Sequence, residues 1–183
     1  MTERIVRAAT PADIPAITAI YGHSVRTETA SFEFEPPDEA EMARRLTAFQ
    51  AAGFPYLVCE RTADRQILGY AYASNWRPRI GYNHTVEDSL YIAPEAKRQG
   101  VGRLLLRSLI EATEALGYRQ MIAVIGDARH LASIRLHESE GFAIVGELPT
   151  LGHKFGQWHD TVLMQRPLGT GASEPPSRPI LAG

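Results

Sequence analysis

A basic loop that contains two glycines separates an apolar, strand-like stretch from a long amphipathic stretch. The strand-like stretch ends near Leu90, Tyr91 and Ile92, and the loop consists of Lys97, Arg98, Gln99, Gly100, Val101, Gly102 and Arg103. Glycines let the backbone approach a ligand closely, and the first turn of a helix presents N–H groups without intrahelical partners. With basic side chains added, this pattern predicts a phosphate site that suits a diphosphate. The G-x-G alone also fits a plain strand-to-helix connection, because it lacks the G-K-[ST] of nucleoside-triphosphate loops.

The other residues with chemical potential form no metal or hydrolase pattern. The six histidines show no H-E-x-x-H motif and no Cys/His spacing fits zinc, so we expect no metal. Ser133 and His137 lie one helical turn apart, as in a hydrolase pair, but no G-x-S-x-G elbow accompanies them. Metal chemistry and serine hydrolysis are therefore not favoured.

The elements that must position these residues alternate between short apolar strands and amphipathic helices, the pattern of an α/β or α+β protein built on one sheet. Strands are predicted at 5–8, 56–60, 67–74, 84–92, 121–125, 142–147 and 158–165. Helices are predicted at 38–52, 100–117 and 131–140. An earlier helix is capped by Thr10 and begins at Pro11, with Asp13 at a capping-box spacing.

Composition restricts the class of protein. The chain has 183 residues, enough for one well-buried core, and 19 basic against 21 acidic residues give a net charge of −2. No overall basic field exists to bind nucleic acid or an anionic membrane. The single Cys59 cannot form an internal disulfide, no apolar run is long enough to span a membrane, and no signal-peptide pattern opens the sequence. We expect a soluble, cytoplasmic protein with one domain over 1–166 and a Pro/Gly-rich tail, 167–183, that is disordered or loosely attached.

The strand, the loop 97–102 and the following helix together resemble the acetyl-CoA motif of the GNAT superfamily N-acetyltransferases. The segment 133–137 followed by Gly141 and Phe142 is similar to the short helix and strand start that complete that fold. Further pieces at 76, 82, 85–87, 90–92, 136–138 and 154–160 resemble the phosphinothricin and methionine-sulfoximine N-acetyltransferases. The likeness extends from about residue 5 to residue 166.

This resemblance implies an α/β (α+β) fold with a central mixed, mostly antiparallel, twisted sheet of about seven strands flanked by about four helices. It implies acetyl-CoA as co-substrate, bound by Leu90, Tyr91, Ile92, residues 97–103, His130 and Ser133. Lys97 stands where the motif usually begins with Gln or Arg, and His130 stands where related enzymes commonly have an Asn that contacts the pantetheine arm. The resemblance also implies a homodimer, and neither nucleic acid nor membrane is an expected partner.

The resemblance further implies catalytic roles. Glu87 matches the glutamate that serves as general base, and the alternative is a solvated strand carboxylate beside Asp88. A backbone N–H near residues 90–92 serves as oxyanion donor. His137 lies where many members have a tyrosine that protonates the leaving thiolate, and a structural or cofactor-contacting histidine is the equal alternative.

On the acceptor side, Arg77 and Arg79 suit the carboxylate or the phosphinate or sulfone-like oxygens of an amino acid. Phe32 and Tyr82 resemble residues that border the acceptor pocket, and Lys154 falls in the predicted loop before the last strand. The predicted reaction transfers the acetyl group directly to the primary amine of a phosphinothricin, methionine sulfoximine or methionine sulfone type of acceptor. The alternatives are a polyamine, an aminoglycoside, a protein N-terminus, or a non-catalytic acyl-CoA sensor.

Overall fold

The structure, a computed structural model, describes residues 3–176. The strands are β1 (Arg4–Ala8), β2 (Tyr56–Arg61), β3 (Ile67–Asn75), β4 (Thr85–Ile92), β5 (Gln120–Ile125), β6 (Ala143–Lys154) and β7 (Gln157–Pro167). The α-helices are α1 (Ile14–Thr27), α2 (Glu39–Ala51), α3 (Val101–Ala115) and α4 (Leu131–Ser139). Within the described range this is the mixed fold of seven strands and four helices that the sequence predicted.

All seven strands form one sheet in the order β1-β2-β3-β4-β5-β7-β6. Neighbouring strands are antiparallel, except that β4 and β5 run parallel. The register between β3 and β4 is unbroken from Val86 to Ile92, so no bulge disturbs the alternation of side chains around Glu87. The predicted mostly antiparallel, mixed sheet is confirmed.

Helices cover both faces of the sheet. The helix predicted from Pro11 begins as a 3-10 turn, Pro11–Asp13, that leads directly into α1, and the Thr10 N–H donates to Asp13 Oδ2 (2.8 Å) as the capping-box spacing indicates. Helix α3 packs on β2, β3 and β4 through a buried stripe that includes Leu105 and Leu109. Helices α1 and α2 pack against each other on the opposite face. The sheet therefore presents its centre, β4, to helices on both sides.

The last hairpin differs from its prediction. The strand predicted at 142–147 is wrong in length, because β6 continues to Lys154 and pairs with β7 down to Gln157. The register shifts between Ile144 and Gly146 and again between Leu148 and Gly152. The second irregularity accommodates Pro149, and pairing with β7 resumes at Gly152. Lys154 accordingly ends a strand and does not lie in a loop.

The C-terminal end of the last strand also extends slightly past residue 166. Pro167 belongs to β7, and Leu168 is fully buried with its N–H donating to the Arg119 carbonyl (2.9 Å). Residues 177–183 of the predicted tail lie outside the described residues. Elsewhere, Cys59 is a buried free thiol in β2, and no helix of residues 3–176 is long and apolar enough to cross a membrane.

Candidate active site

The two central parallel strands separate at the point where the candidate base stands. Pairing between β4 and β5 ends at Asp88 and Ala123, although β4 continues to Ile92 and β5 to Ile125. A cavity of about 630 Å³ opens in this gap. Because adjacent strand residues point to opposite faces, Glu87 and Asp88 reach the cavity from the two sides of the sheet.

The Glu87 side chain has the electrostatic properties of a base that works near neutral pH. Burial raises the pKa of this carboxyl to about 7, the charge of Asp88 adds to the effect, and Arg77 opposes it. A base is most effective when its pKa lies near the operating pH. The structure therefore gives Glu87 a partly buried position on the cavity wall, in contrast to a solvated strand carboxylate.

Asp88 and His137 form a buried pair on the other side of the gap. His137 Nε2 donates to Asp88 Oδ2 (3.1 Å) and Nδ1 donates to the Ser133 carbonyl (2.8 Å). Both ring nitrogens therefore face acceptors, which favours the imidazolium form. Burial by itself lowers the pKa of His137, but the Asp88 charge and the hydrogen bonds to Asp88 and Ser133 outweigh it, so the pKa is raised. Sequence reasoning missed the role of Asp88, although strand alternation places it on the opposite face from Glu87, where a buried carboxylate needs a partner.

A second cavity, of about 540 Å³, adjoins the first along β4. Its wall contains all the predicted cofactor residues except Gln99 and Val101, and it shares Leu90, Tyr91, His130 and Ser133 with the first cavity. The Gln99 side chain instead donates to the Glu95 carbonyl (2.6 Å), and Val101 is buried in the core. These two residues can face a ligand there only through their backbone.

The loop at this second cavity has the shape of an anion cradle. Gly100 caps α3 with a φ of +81°, a left-handed conformation that favours glycine, and open space lies where a side chain would begin. Lys97, Arg98 and Arg103 surround it. These residues fit the diphosphate of a coenzyme A molecule, because positive charge and free N–H groups at a helix start converge on one open space.

The predicted acceptor residues do not all converge. Phe32 lines the first cavity. The Arg77 guanidinium lies over the Trp76 ring, 4.8 Å from its centroid, and its charge acts to lower the pKa of Glu87. Arg79 and Tyr82 lie in the exposed segment before β4, outside the described cavity wall. Lys154 is 1% exposed and donates to backbone carbonyls instead of facing the cavity. Residues missed by the sequence reasoning also line this cavity, among them Tyr72, Gly126 and Gly152.

The comparisons with known proteins fit this geometry. The model of the acetyltransferase (GNAT) domain matches residues 6–163. The chain belongs to the GNAT acetyltransferase family. The family resemblance deduced from the loop 97–102 is thereby confirmed. No group of three or more His, Cys, Asp or Glu side chains within residues 3–176 is arranged to hold a metal ion.

Similar proteins within the GNAT family belong to the subfamily that the sequence motifs indicate. The chain is 55% identical over 166 residues to a phosphinothricin N-acetyltransferase from Alcaligenes faecalis, covering 91% of this chain and 83% of that one. It is 39% identical over 170 residues to an L-methionine sulfoximine/L-methionine sulfone acetyltransferase from Pseudomonas paraeruginosa, covering 93% and 98%. A crystal structure of a phosphinothricin acetyltransferase from Sinorhizobium meliloti in complex with AcCoA superposes with a TM-score of 0.93 at 45% identity, covering 98% and 96%.

Proposed function

We propose that this acetyltransferase moves the acetyl group of acetyl-CoA directly to the primary amine of a small amino-acid-like acceptor of the phosphinothricin, methionine sulfoximine or methionine sulfone type. One observation carries the proposal: the cavity that holds Glu87 adjoins the cavity at Gly100, and Leu90, Tyr91, His130 and Ser133 line both. An amine and a thioester can therefore meet at the gap between β4 and β5. The names of the similar enzymes support the acceptor class.

When bound, acetyl-CoA supplies a thioester whose acyl carbon is the target of the amine. Lys97, Arg98, Arg103 and the N–H groups at the start of α3 hold its diphosphate. Glu87 would take the proton that the amine loses as the new C–N bond forms and the acyl C–S bond breaks, which releases CoA as the thiolate. Because pairing with β5 ends at Asp88, the backbone of residues 89–92 faces the gap, and we assign the oxyanion donor to an N–H of this stretch.

His137 is assigned a charge-balancing role in this mechanism. Both of its N–H groups already donate, so protonating a thiolate would break one of those bonds. Its positive charge neutralises the charge of Asp88. Without this compensation, a second negative charge would lie beside Glu87 and would repel the departing thiolate. His137 is therefore assigned as a structural residue and not as the acid that protonates the leaving thiolate.

The acceptor's anionic groups are assigned to Arg77, with Arg79 and Tyr82 as further candidates in the exposed segment before β4. Arg77 is near enough to Glu87 to affect its pKa, so a carboxylate bound to this guanidinium would hold the neighbouring amine near the base. This arrangement favours α-amino acids over polyamines, which offer no anionic group.

We also propose a homodimer that forms through the β6 and β7 hairpin. This edge of the sheet carries large apolar side chains that are each at least 40% exposed: Ile144, Val145, Leu148, Leu151, Phe155 and Trp158. Patches of this kind mark interaction surfaces. The buried thiol of Cys59 supports the proposed location in the reducing cytoplasm.

A thiol-release assay tests the acceptor class. The panel contains phosphinothricin, methionine sulfoximine, methionine sulfone, ordinary amino acids, spermidine and an aminoglycoside, each with acetyl-CoA. We expect the highest kcat/KM with one of the first three. Turnover of only another amine would contradict the acceptor class, and absence of turnover with CoA still bound would contradict the enzyme and favour a sensor.

A further inference from the structure

Both lysines of the chain hold the same short segment. The sequence contains two lysines, Lys97 and Lys154. Lys97 pairs with the Glu28 carboxylate, whereas the Lys154 ammonium donates to the Glu28 carbonyl (2.9 Å) and to the Ser31 carbonyl. The segment 28–32, which follows α1, is therefore fastened to the cofactor loop at one side and to the end of β6 at the other.

Lys154 is itself fixed at both ends. Its ammonium is buried with the two carbonyls, and burial lowers its pKa while the charges of Glu28 and Glu33 oppose the effect. Its own carbonyl accepts a hydrogen bond from Nε2 of the buried His159 (3.0 Å). A long, flexible side chain that is buried and doubly hydrogen-bonded has lost its freedom to follow a ligand.

Phe32, the last residue of the segment, is seated between two glycines. A Cβ at Gly126 would lie 2.7 Å from Cε2 of the Phe32 ring, and a Cβ at Gly152 would overlap that ring. The ring also lies edge-on to His159, with centroids 6.1 Å apart. Thr29, Ala30 and Phe32 then form part of the wall of the cavity that contains Glu87.

These contacts connect a buried lysine to the shape of the acceptor site. We propose that Lys154 is a positioning residue that fixes the segment 28–32 and thereby keeps Phe32 in the cavity wall, where the ring limits the length of the acceptor side chain. This inference rests on the proposed function for the identity of the acceptors. It assigns Lys154 a role through Phe32 in place of the predicted direct contact with the acceptor.

The test compares Lys154→Met with Lys97→Met, the same substitution at the only other lysine. Methionine keeps the apolar stem of Lys154 but leaves the carbonyls of Glu28 and Ser31 without their donor. We expect KM for the preferred acceptor to rise at least about 10-fold, kcat to fall less than about 5-fold, and the ranking of short against long acceptors to change. Lys97→Met should weaken CoA binding and change that ranking much less than Lys154→Met, because Lys97 holds the segment only through the Glu28 side chain. Lys154→Arg should restore part of the selectivity.

Amide hydrogen exchange of residues 28–32 in the ligand-free enzyme gives a readout that needs no acceptor. It should be at least about 10-fold faster in Lys154→Met than in the wild type. Unchanged exchange together with an unchanged ranking would overturn the proposal. If the wild type acetylates none of the acceptors, the proposed function fails, and the exchange result alone decides whether Lys154 positions the segment.

A second pair of variants keeps the proposal testable if Lys154→Met does not fold. Gly152→Ala should displace the Phe32 ring and change the ranking of acceptors, because its new methyl group needs the space of the ring. Adding Phe32→Ala should relieve the overlap, so the effects of the two substitutions should be non-additive. Additive effects on acceptor KM would contradict the seating of Phe32 between the glycines.

Discussion

Nε2 of His137 lies 3.1 Å from Oδ2 of Asp88, and this contact joins α4 to β4 beneath the gap between the central strands. The side chains of His137 and Asp88 are 4% and 3% exposed, so neither charge can be screened by water if the other is removed. The second carboxylate oxygen of Asp88 is buried and has no hydrogen-bond partner within the described residues. His137 is therefore the main source of compensation for the Asp88 charge.

Breaking this pair should destabilise the enzyme in a way that a double variant partly repairs. Asp88→Asn and His137→Gln should each lower the free energy of unfolding by about 2–4 kcal/mol, because each leaves a buried partner uncompensated. In the double variant the loss should be smaller than the sum. Urea unfolding at pH 6.5 measures all four proteins, and strictly additive losses would contradict a coupled pair.

The same pair gives stability a pH dependence. Because the folded-state pKa of His137 is raised, its contribution is complete below about pH 6.5 and is lost as pH rises through the folded pKa. Thermal unfolding of the wild type should therefore show a decline in Tm above pH 6.5. The decline should be shallower in His137→Gln, and an identical slope in both proteins would argue against the raised pKa.

The pH dependence of catalysis should report Glu87. With a pKa of about 7, this base is increasingly protonated below neutral pH, so kcat/KM should rise with pH through about 7. Acceptors whose amines differ in pKa separate this limb from deprotonation of the amine. If the apparent pKa of the rising limb follows the pKa of each acceptor amine and no inflection stays near pH 7, the titrating group is the substrate amine.

Replacing the base should affect chemistry and spare the fold. Glu87→Gln should lower kcat/KM by about 10²- to 10⁴-fold while the affinity for CoA, measured by calorimetry, stays nearly unchanged. Burial disfavours the ionised carboxylate above pH 7, so this variant should unfold at an equal or higher temperature than the wild type at pH 8. A loss of activity below threefold at saturating acetyl-CoA would remove Glu87 from the mechanism.

The cradle at Gly100 should be intolerant of a branched side chain. Gly100→Val places a β-branched residue at a φ of +81° and fills the open space that the diphosphate needs, so CoA affinity should fall at least about 10-fold. Gly53→Val is the matched control, since Gly53 has a φ of +77° and equally open surroundings at the end of α2. If calorimetry shows the same CoA affinity in both variants, the cofactor site is elsewhere.

The exposed hairpin should control assembly. Ile144→Glu places a charge within the apolar patch, so light scattering should find the variant as a monomer and the wild type as a dimer. Ile5→Glu is the control, because Ile5 is 41% exposed in β1, at the opposite edge of the sheet from β6. A dimer that tolerates Ile144→Glu would place the interface on another face.

Features that depend on neighbouring residues along the chain were predictable from the sequence. The loop 97–102 between a strand and a helix identified the family, and hydrophobic periodicity predicted the seven strands and four helices. These features are readable because backbone conformation, capping and the burial of one face follow from residues a few positions apart. The left-handed conformation of Gly100 is of this local kind.

The side-chain contacts between distant elements of the fold could not be predicted in this way. Asp88 and His137 are 49 residues apart, and their contact depends on how α4 packs against β4. Lys154 looked like a ligand-facing lysine in a loop, but the longer β6 carries its ammonium beneath the segment 28–32, more than 120 positions away in the chain. Contacts over such separations depend on the packing of whole elements, which no local pattern of residues specifies.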